Sequence, residues 1–226
     1  MMIHQDARLS RQSQIVAPRL LHASALVCGV GMLGSFTAMA LARCVAEVVV
    51  FDPDVVEDVN SGNQAYHGDN VGRSKVEAME SLNVGLPLTG RLGEFPLDKA
   101  PRDLLQYQDN DLIVVSAADS MTVRAAMANY AKVHKASLFV DSRAQGELAV
   151  ICIVPPSHIE AYLADLPGDD EVPNIACGAT GTAYTGMWVA GRVMTYLNAH
   201  FRGMPNVPWI HVEDLGGGNV LRHELP

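Results

Sequence analysis

The sequence predicts an α/β fold: a doubly wound, mostly parallel, Rossmann-like sheet with an N-terminal helical arm and a C-terminal β-hairpin. Three observations predict it. Short apolar runs recur along the chain and alternate with stretches of helical period. The run "DLIVVSAAD" (111–119) is apolar at consecutive positions, as a strand is when helices cover both faces of its sheet. Gly29, Gly31 and Gly34 form a G-x-G-x-x-G directly after the first apolar run and at the start of a helical one.

The elements follow in chain order. "RLSRQSQIVAPRLLH" (8–22) is the helical arm, and "ALVCG" (25–29) the first buried strand. Residues 32–45, rich in Ala, Met and Leu, form a helix that leads to the strand "EVVVFD" (47–52). A helix starts near Arg73 and ends near Asn83-Val84-Gly85, where glycine supplies the C-cap. Residues 101–107 form a short helix, 111–119 a strand, 120–135 a helix, and "ASLFVDSRA" the next strand. "GELAVICIVPP" is a strand stopped by its proline pair. Residues 25–155 thus make a nucleotide-binding core. The acidic stretch with Pro and Gly at 156–178 reads as a short crossover loop. From 180 to 226 come a long apolar helix (180–201), whose small residues permit close packing, and a hairpin turning at Gly216-Gly217-Gly218. The 226 residues suffice for one large α/β domain.

The glycine motif carries the first chemistry. Gly29 permits a tight turn, Gly31 lets backbone approach a phosphate, and Gly34 lets helix and strand pack closely. The helix that follows offers free N–H groups and positive potential to an anion. Asp52 closes the second strand, where a carboxylate bonds a ribose hydroxyl. Asp54, Asn60 and Gln64 follow in a polar run that does not suit a dehydrogenase. Lys75, at a helix start, places a cation before a polyphosphate. Asp119 ends a strand at the carboxyl edge of the sheet, and a carboxylate there is a natural Mg²⁺ ligand beside a triphosphate; it is equally a cap for the helix at Ser120.

Other features bound the class. The net charge of −9 speaks against nucleic-acid and anionic-membrane partners. No stretch approaches a membrane span in length, and the first residues lack the apolar core of a secretion signal. The four cysteines, at 28, 44, 152 and 177, make no C-x-x-C pair, so no zinc site is expected. Cys28, Cys44 and Cys152 read as inert core residues of a reduced, cytoplasmic protein. Met121, Met127 and Met187 read as core.

In order along the chain, "RLSRQ", "GVGMLG", "FDPDVVEDVNSGNQ", "DNVGRSK", "SAADSMTVR", "CGATGTAYTGMWVAG" and the closing hairpin resemble the ThiF/MoeB/ubiquitin-activating-enzyme family (HesA/MoeB/ThiF) over nearly the whole length. The resemblance implies an adenylyltransferase that uses ATP and Mg²⁺. Its partner is a ubiquitin-like or sulfur-carrier β-grasp protein, whose C-terminal glycine carboxylate attacks the α-phosphate. It implies that Asp52 holds the ribose, that Asn60 and Lys75 contact phosphates, that Asp119 helps hold Mg²⁺, and that Arg11 reaches the phosphates of the other subunit in a homodimer. Cys177 stands where some sulfur-carrier activators place a reactive cysteine, and a helix start there lowers a thiol pKa; it equally reads as a small buried residue at a helix start. Two departures stand out. The family arginine after Asn60 is Asn63 here, which removes a cation from the triphosphate, with Arg73 nearby as a possible substitute. The two C-x-x-C zinc pairs of many relatives are missing. Asn63 opens a second reading, a catalytically impaired nucleotide- or partner-binding scaffold. An NAD-dependent oxidoreductase rests on the glycine motif alone, and "TAYTGMW" offers no lysine at the spacing a Tyr-x-x-x-Lys pair needs. A tRNA-modifying dehydratase of the same superfamily is opposed by the acidic charge.

Overall fold

A computed structural model describes residues 10–107, 109–169, 181–205, 207 and 209–223. One eight-stranded sheet organises them. Its strands are Ser24–Cys28 (β1), Glu47–Asp52 (β2), Leu88–Leu92 (β3), Leu112–Ser116 (β4), Leu138–Gln145 (β5), Leu148–Val154 (β6), Ile210–Asp214 (β7) and Asn219–His223 (β8), in the order β3-β2-β1-β4-β5-β6-β7-β8. The first five run parallel and the last three antiparallel. The chain leaves β1 for β2 on one side and later returns to β4 on the other. The carboxyl ends of β1 and β4 therefore frame a switch-point crevice.

The helices are Pro18–Leu21 (α1), Met32–Leu41 (α2), Lys75–Leu82 (α3), Pro101–Leu104 (α4), Met121–Val133 (α5), Ile159–Asp165 (α6) and Ala183–Phe201 (α7). Strand side chains alternate between two apolar clusters. Ala25, Val27, Val48 and Val50 pack with residues of α2, α3 and α7. Leu26, Val49, Val114 and Phe139 pack with residues of α5 and α6. Helices on both faces explain why β1 and β4 are buried at every position. Gly186 of α7 lies against α2: a Cβ there would come within 2.7 Å of the Met32 carbonyl oxygen and the Phe36 ring. The small residues of this helix do allow close packing, and its buried face belongs to the core.

Several expectations are corrected. The arm at 8–22 is not one helix. Residues 10–15 form turns, and among the described residues of the arm only the single turn of α1 is helical. Pro18 is the cause: it lacks an N–H and holds Ala17 extended, at φ −56°, ψ 134°. The helix expected over 32–45 ends at Leu41, with turns to Val45. The loop expected from 156 contains α6, whose Ile159 and Tyr162 are buried one turn apart. β3 escaped the reading because Leu-Thr-Gly-Arg-Leu is an edge strand with only Leu88 buried. Cys28 and Cys152 are buried, and burial raises their thiols to about 11 and about 12. Cys44 is only half-buried, and its thiol donates to Gln12 Oε1 at 3.6 Å. Met121 and Met127 are core, but Met187 is 56% exposed on the outer face of α7.

Two histidines link this packing to pH. His211 of β7 is fully buried between Tyr196 Oη (2.7 Å from Nδ1) and Glu213 Oε2 (2.9 Å from Nε2), with Arg192 and Arg222 nearby. Burial lowers its pKa below 6.5 against the opposing pull of Glu213, and burial also lowers that of His200. The folded state therefore prefers both rings neutral. Their contribution to stability is complete above about pH 6.5 and is lost as pH falls through that value. The thermal midpoint is expected to drop between pH 7.5 and 5 in wild type, and less steeply in His211→Asn. Parallel profiles for the two proteins would contradict this.

Candidate nucleotide site

The glycine loop between β1 and α2 is fixed by close packing. Gly29 has φ +86°, and a Cβ there would lie 2.9 Å from the Ala117 carbonyl oxygen, so the loop passes tight against the end of β4. At Gly34 a Cβ would fall 1.9 Å from the Gly29 carbonyl oxygen. At Gly31 it would meet nothing within 4 Å. The first and third glycines are thus required by packing, and the middle one faces open space. Gly31 is also the N-cap of α2, and no side chain caps that helix. The first-turn N–H groups and the positive end of the helix dipole are therefore presented at an open position.

Asp52 braces this loop. It is buried, and its two carboxylate oxygens accept from the backbone N–H groups of Val30 (2.8 Å) and Asp54 (2.9 Å). From the other side the buried Tyr66 hydroxyl donates to the Val30 carbonyl at 2.7 Å, and Ser35 Oγ accepts from the Ala65 N–H at 3.1 Å. Tyr66 was missed by the sequence reading. Its signal was an aromatic inside an otherwise polar run.

The polar segment after β2 comes to the same crevice. Lys75 is the first residue of α3, capped by Ser74. It is 7% exposed, and its ammonium pairs with Asp54 at 2.7 Å. The Lys75 N–H also donates to the Asp54 carbonyl at 2.9 Å, so Asp52, Asp54 and Lys75 form a connected chain. Asn60 Oδ1 accepts from the Glu57 N–H at 2.8 Å and caps the short 3₁₀ turn Asp58–Gly62. That leaves the NH₂ of Asn60 to donate outward. Asn63 Oδ1 and Gln64 Oε1 are buried with no hydrogen-bond partner among the described residues. A buried amide oxygen without a partner is costly. Arg73, the cation that follows Asn63 in sequence, is exposed. Its guanidinium reaches Ser81 Oγ at 3.4 Å, two turns along the outer side of α3.

Across the crevice, Asp119 follows β4 on an exposed turn. It does not cap α5. Ser120 does, accepting from the Val123 N–H at 3.3 Å, and Asp169 adds a second acceptor to the same helix end. The Asp119 carboxylate has no hydrogen bond or ion pair among the described residues. Arg11 is exposed in the turn before α1. Its neighbour Gln12 donates to the Arg43 carbonyl at 2.6 Å, just beyond the C-terminal end of α2. A ten-residue helix is roughly 15 Å long. Arg11 therefore stands at the far end of α2 from this chain's glycine loop. Cys177 lies outside the described residues. A surface depression lined by Arg102, Tyr107, Asp109, His134 and Lys135 sits beside the amino ends of β4 and β5 and shares no residue with the crevice.

The residues fit a nucleotide: an open glycine, an uncapped helix start and a buried cation stand at one edge of the sheet. They also fit Mg²⁺ held chiefly by phosphate. Among the described residues no three His, Cys, Asp or Glu side chains cluster as a metal cage, and Mg²⁺ typically takes one or two carboxylates plus phosphate oxygens. Among the described residues no helix is long and apolar enough to cross a membrane.

Solved structures share this architecture. PaaA, as its selenomethionine crystal structure, superposes with a TM-score of 0.71 at 18% identity, over 99% of this chain and 84% of its own. E. coli MccB with AMPCPP and MccA gives 0.69 at 16% identity, over 98% and 72%. E. coli MccB with ATP gives 0.66 at 15%, over 91% and 64%. At these identities the likeness is one of fold. A comparison with curated proteins finds no match. The model of the ThiF family, by contrast, matches residues 7–211, nearly the whole chain and every element of the crevice, and the chain belongs to the ThiF family.

Proposed function

We propose that the chain is an ATP-dependent adenylyltransferase that activates the C-terminal glycine of a ubiquitin-like or sulfur-carrier β-grasp protein. The observation that carries this reading is the convergence of Gly31, Asp52, Lys75, Asn60, Gln64 and Asp119 on one switch-point crevice. ATP is the co-substrate. Asp52 faces the ribose with lone pairs left beyond its two backbone bonds. The open start of α2, the Lys75 ammonium and the Asn60 NH₂ receive the phosphates. Lys75 exchanges its partner Asp54, whose side chain is 62% exposed, for phosphate oxygens. Asp119, with the phosphates, holds Mg²⁺, which supplies charge neutralisation when bound. The incoming carboxylate oxygen forms a bond to the α-phosphorus, and the bond from that phosphorus to the bridging oxygen breaks. Pyrophosphate leaves with the electron pair, and an acyl adenylate remains. No proton moves. The protein's contribution is to position two anions and offset their repulsion. Support for a polypeptide tail comes from the MccB structures, whose names pair that protein with MccA. Arg11 is assigned to the phosphates of a second copy, in a homodimer, because its own crevice is out of reach. Cys177 is assigned to capture of the acyl group after adenylation: its thiolate sulfur bonds the acyl carbon, the bond from that carbon to the adenylate oxygen breaks, and AMP leaves.

Calorimetric titration with Mg·ATP, with NAD⁺ as the control, tests the pocket, and exchange of labelled pyrophosphate into ATP in the presence of a β-grasp tail tests the chemistry. NAD⁺ binding in place of ATP would sink the reading. Asn63 favours a second one, a scaffold that binds nucleotide or partner without turnover. Under adenylation, Asn63→Arg is expected to raise exchange by ~10-fold or more, since one preorganised charge at a transition state is worth ~10²–10³. Absence of exchange in both proteins, with partner binding intact, selects the scaffold.

A further inference from the structure

We infer that Arg124 and Asp169 are positioning residues that set where the Asp119 carboxylate stands. The inference rests on the assignment of Asp119 to Mg·ATP and deepens it. Among the described residues the Asp119 side chain has no tether of its own, so its place there is inherited from the backbone between β4 and α5. One end of that segment is fixed by the sheet, through Ala117 N–H to the Cys28 carbonyl at 2.9 Å. Beyond it, two side chains distant in sequence or in fold hold the turn.

Arg124 does so from below. It is 4% exposed, and its guanidinium donates to the Ala118 carbonyl, to the Asp141 carboxylate and to the Ser142 carbonyl (2.9 Å). The residue immediately before Asp119 is therefore tied to β5. Asp141 is fully buried and is itself fixed by Arg143 Nε at 2.6 Å and by the Tyr162 hydroxyl at 3.0 Å. Only a planar fork reaches these acceptors in several directions at once; a lysine ammonium on a flexible stem does not hold the same set.

Asp169 holds the turn from above. Its carboxylate accepts from the Met121 N–H (2.5 Å), the Thr122 N–H (3.3 Å), the Thr122 hydroxyl (2.7 Å) and the Ser120 hydroxyl (3.3 Å). These bonds hold its pKa below the usual carboxylate value, the Thr122 hydroxyl first. The residues just after Asp119 are thereby pinned to the chain that follows α6. Asp119 is exposed between two anchored neighbours, and its carboxylate has no partner among the described residues. A ligand carboxylate gains from such bracketing because its reach to a metal tolerates little displacement.

The test compares wild type with Arg124→Lys and Asp169→Ala by two readouts. The first is amide hydrogen exchange over residues 117–122 in the protein without nucleotide. The second is the Mg²⁺ concentration at half-maximal ATP binding. In each variant the loop amides are expected to exchange about tenfold faster and the Mg²⁺ midpoint to rise about tenfold, the factor that roughly 1.4 kcal/mol provides. ATP binding without Mg²⁺ is expected to stay within about twofold, which a general loss of structure would not allow. Wild-type exchange rates and an unmoved Mg²⁺ midpoint in the folded variants overturn the inference. If Arg124→Lys does not fold, Asp169→Ala, a change at the surface, carries the test alone. Failure of the adenylation reading looks different: loop exchange and the Mg²⁺ midpoint shift as expected, but no tail supports pyrophosphate exchange.

Discussion

Lys75→Ala is expected to reduce ATP–pyrophosphate exchange by ~10²–10³, with Asp119→Ala in the same range, because each removes a preorganised charge from a reaction that depends on charge neutralisation. The two variants should differ in kind. Lys75 is buried and paired with Asp54 at 2.7 Å, so its loss also leaves Asp54 without a counter-ion and weakens ATP binding even without Mg²⁺. Asp119 is exposed, and it is unpaired among the described residues. Its loss should spare Mg²⁺-free binding and the thermal midpoint, and act only when the metal is present. Exchange at wild-type rates in both variants would remove the crevice from the chemistry altogether.

Asp141→Ala is expected to have the largest effect on stability, about 3–5 kcal/mol, read as a shift in the chemical denaturation midpoint at constant slope. Asp141 is fully buried and is the shared acceptor of Arg124, Arg143 and Tyr162. Without it Arg124, 5% exposed at its side chain, keeps its charge in the interior with only carbonyl partners. Arg143 is 21% exposed and can turn toward water, so most of the cost falls on Arg124. Asp141→Asn keeps one acceptor and should cost less. A shift below about 1 kcal/mol in Asp141→Ala would mean that the two guanidinium groups find other partners.

What could be read in the sequence was what local chemistry encodes. The apolar runs of β1, β2 and β4 are consecutive because both faces are covered, and that pattern survives in the sequence whatever the topology. The glycine motif announced its own geometry: a positive φ at Gly29, contact at Gly34 and open space at Gly31. Gly31, Asp52 and Lys75 reach the crevice because each caps, ends or begins an element at the carboxyl edge, and Asp119 because it lies in the turn between β4 and α5. What was hidden depended on distant pairing. β3 has no apolar run and exists because β2 offers it a parallel edge. α6 carries only two buried side chains between loop signals. The cap on α5 looked like Asp119 until Asp169, 48 residues away from Met121, took part of that place. Arg124 stood inside a recognised stretch, but its burial against Asp141 is a property of two strands and a helix meeting. Arg11 could be named from resemblance, whereas its distance from its own crevice needed the fold.

The bracing of the glycine loop by Asp52, Tyr66 and Ser35 has a thermodynamic consequence. A loop already held in its final shape loses little conformational freedom when a phosphate arrives, so the ordering cost of about 1–2 kcal/mol per residue is met during folding. Recognition of the nucleotide then resembles a key entering a finished lock. The affinity of this wall of the crevice is limited by charge and solvation, and its association rate by diffusion, with no slow closure of the loop to wait for.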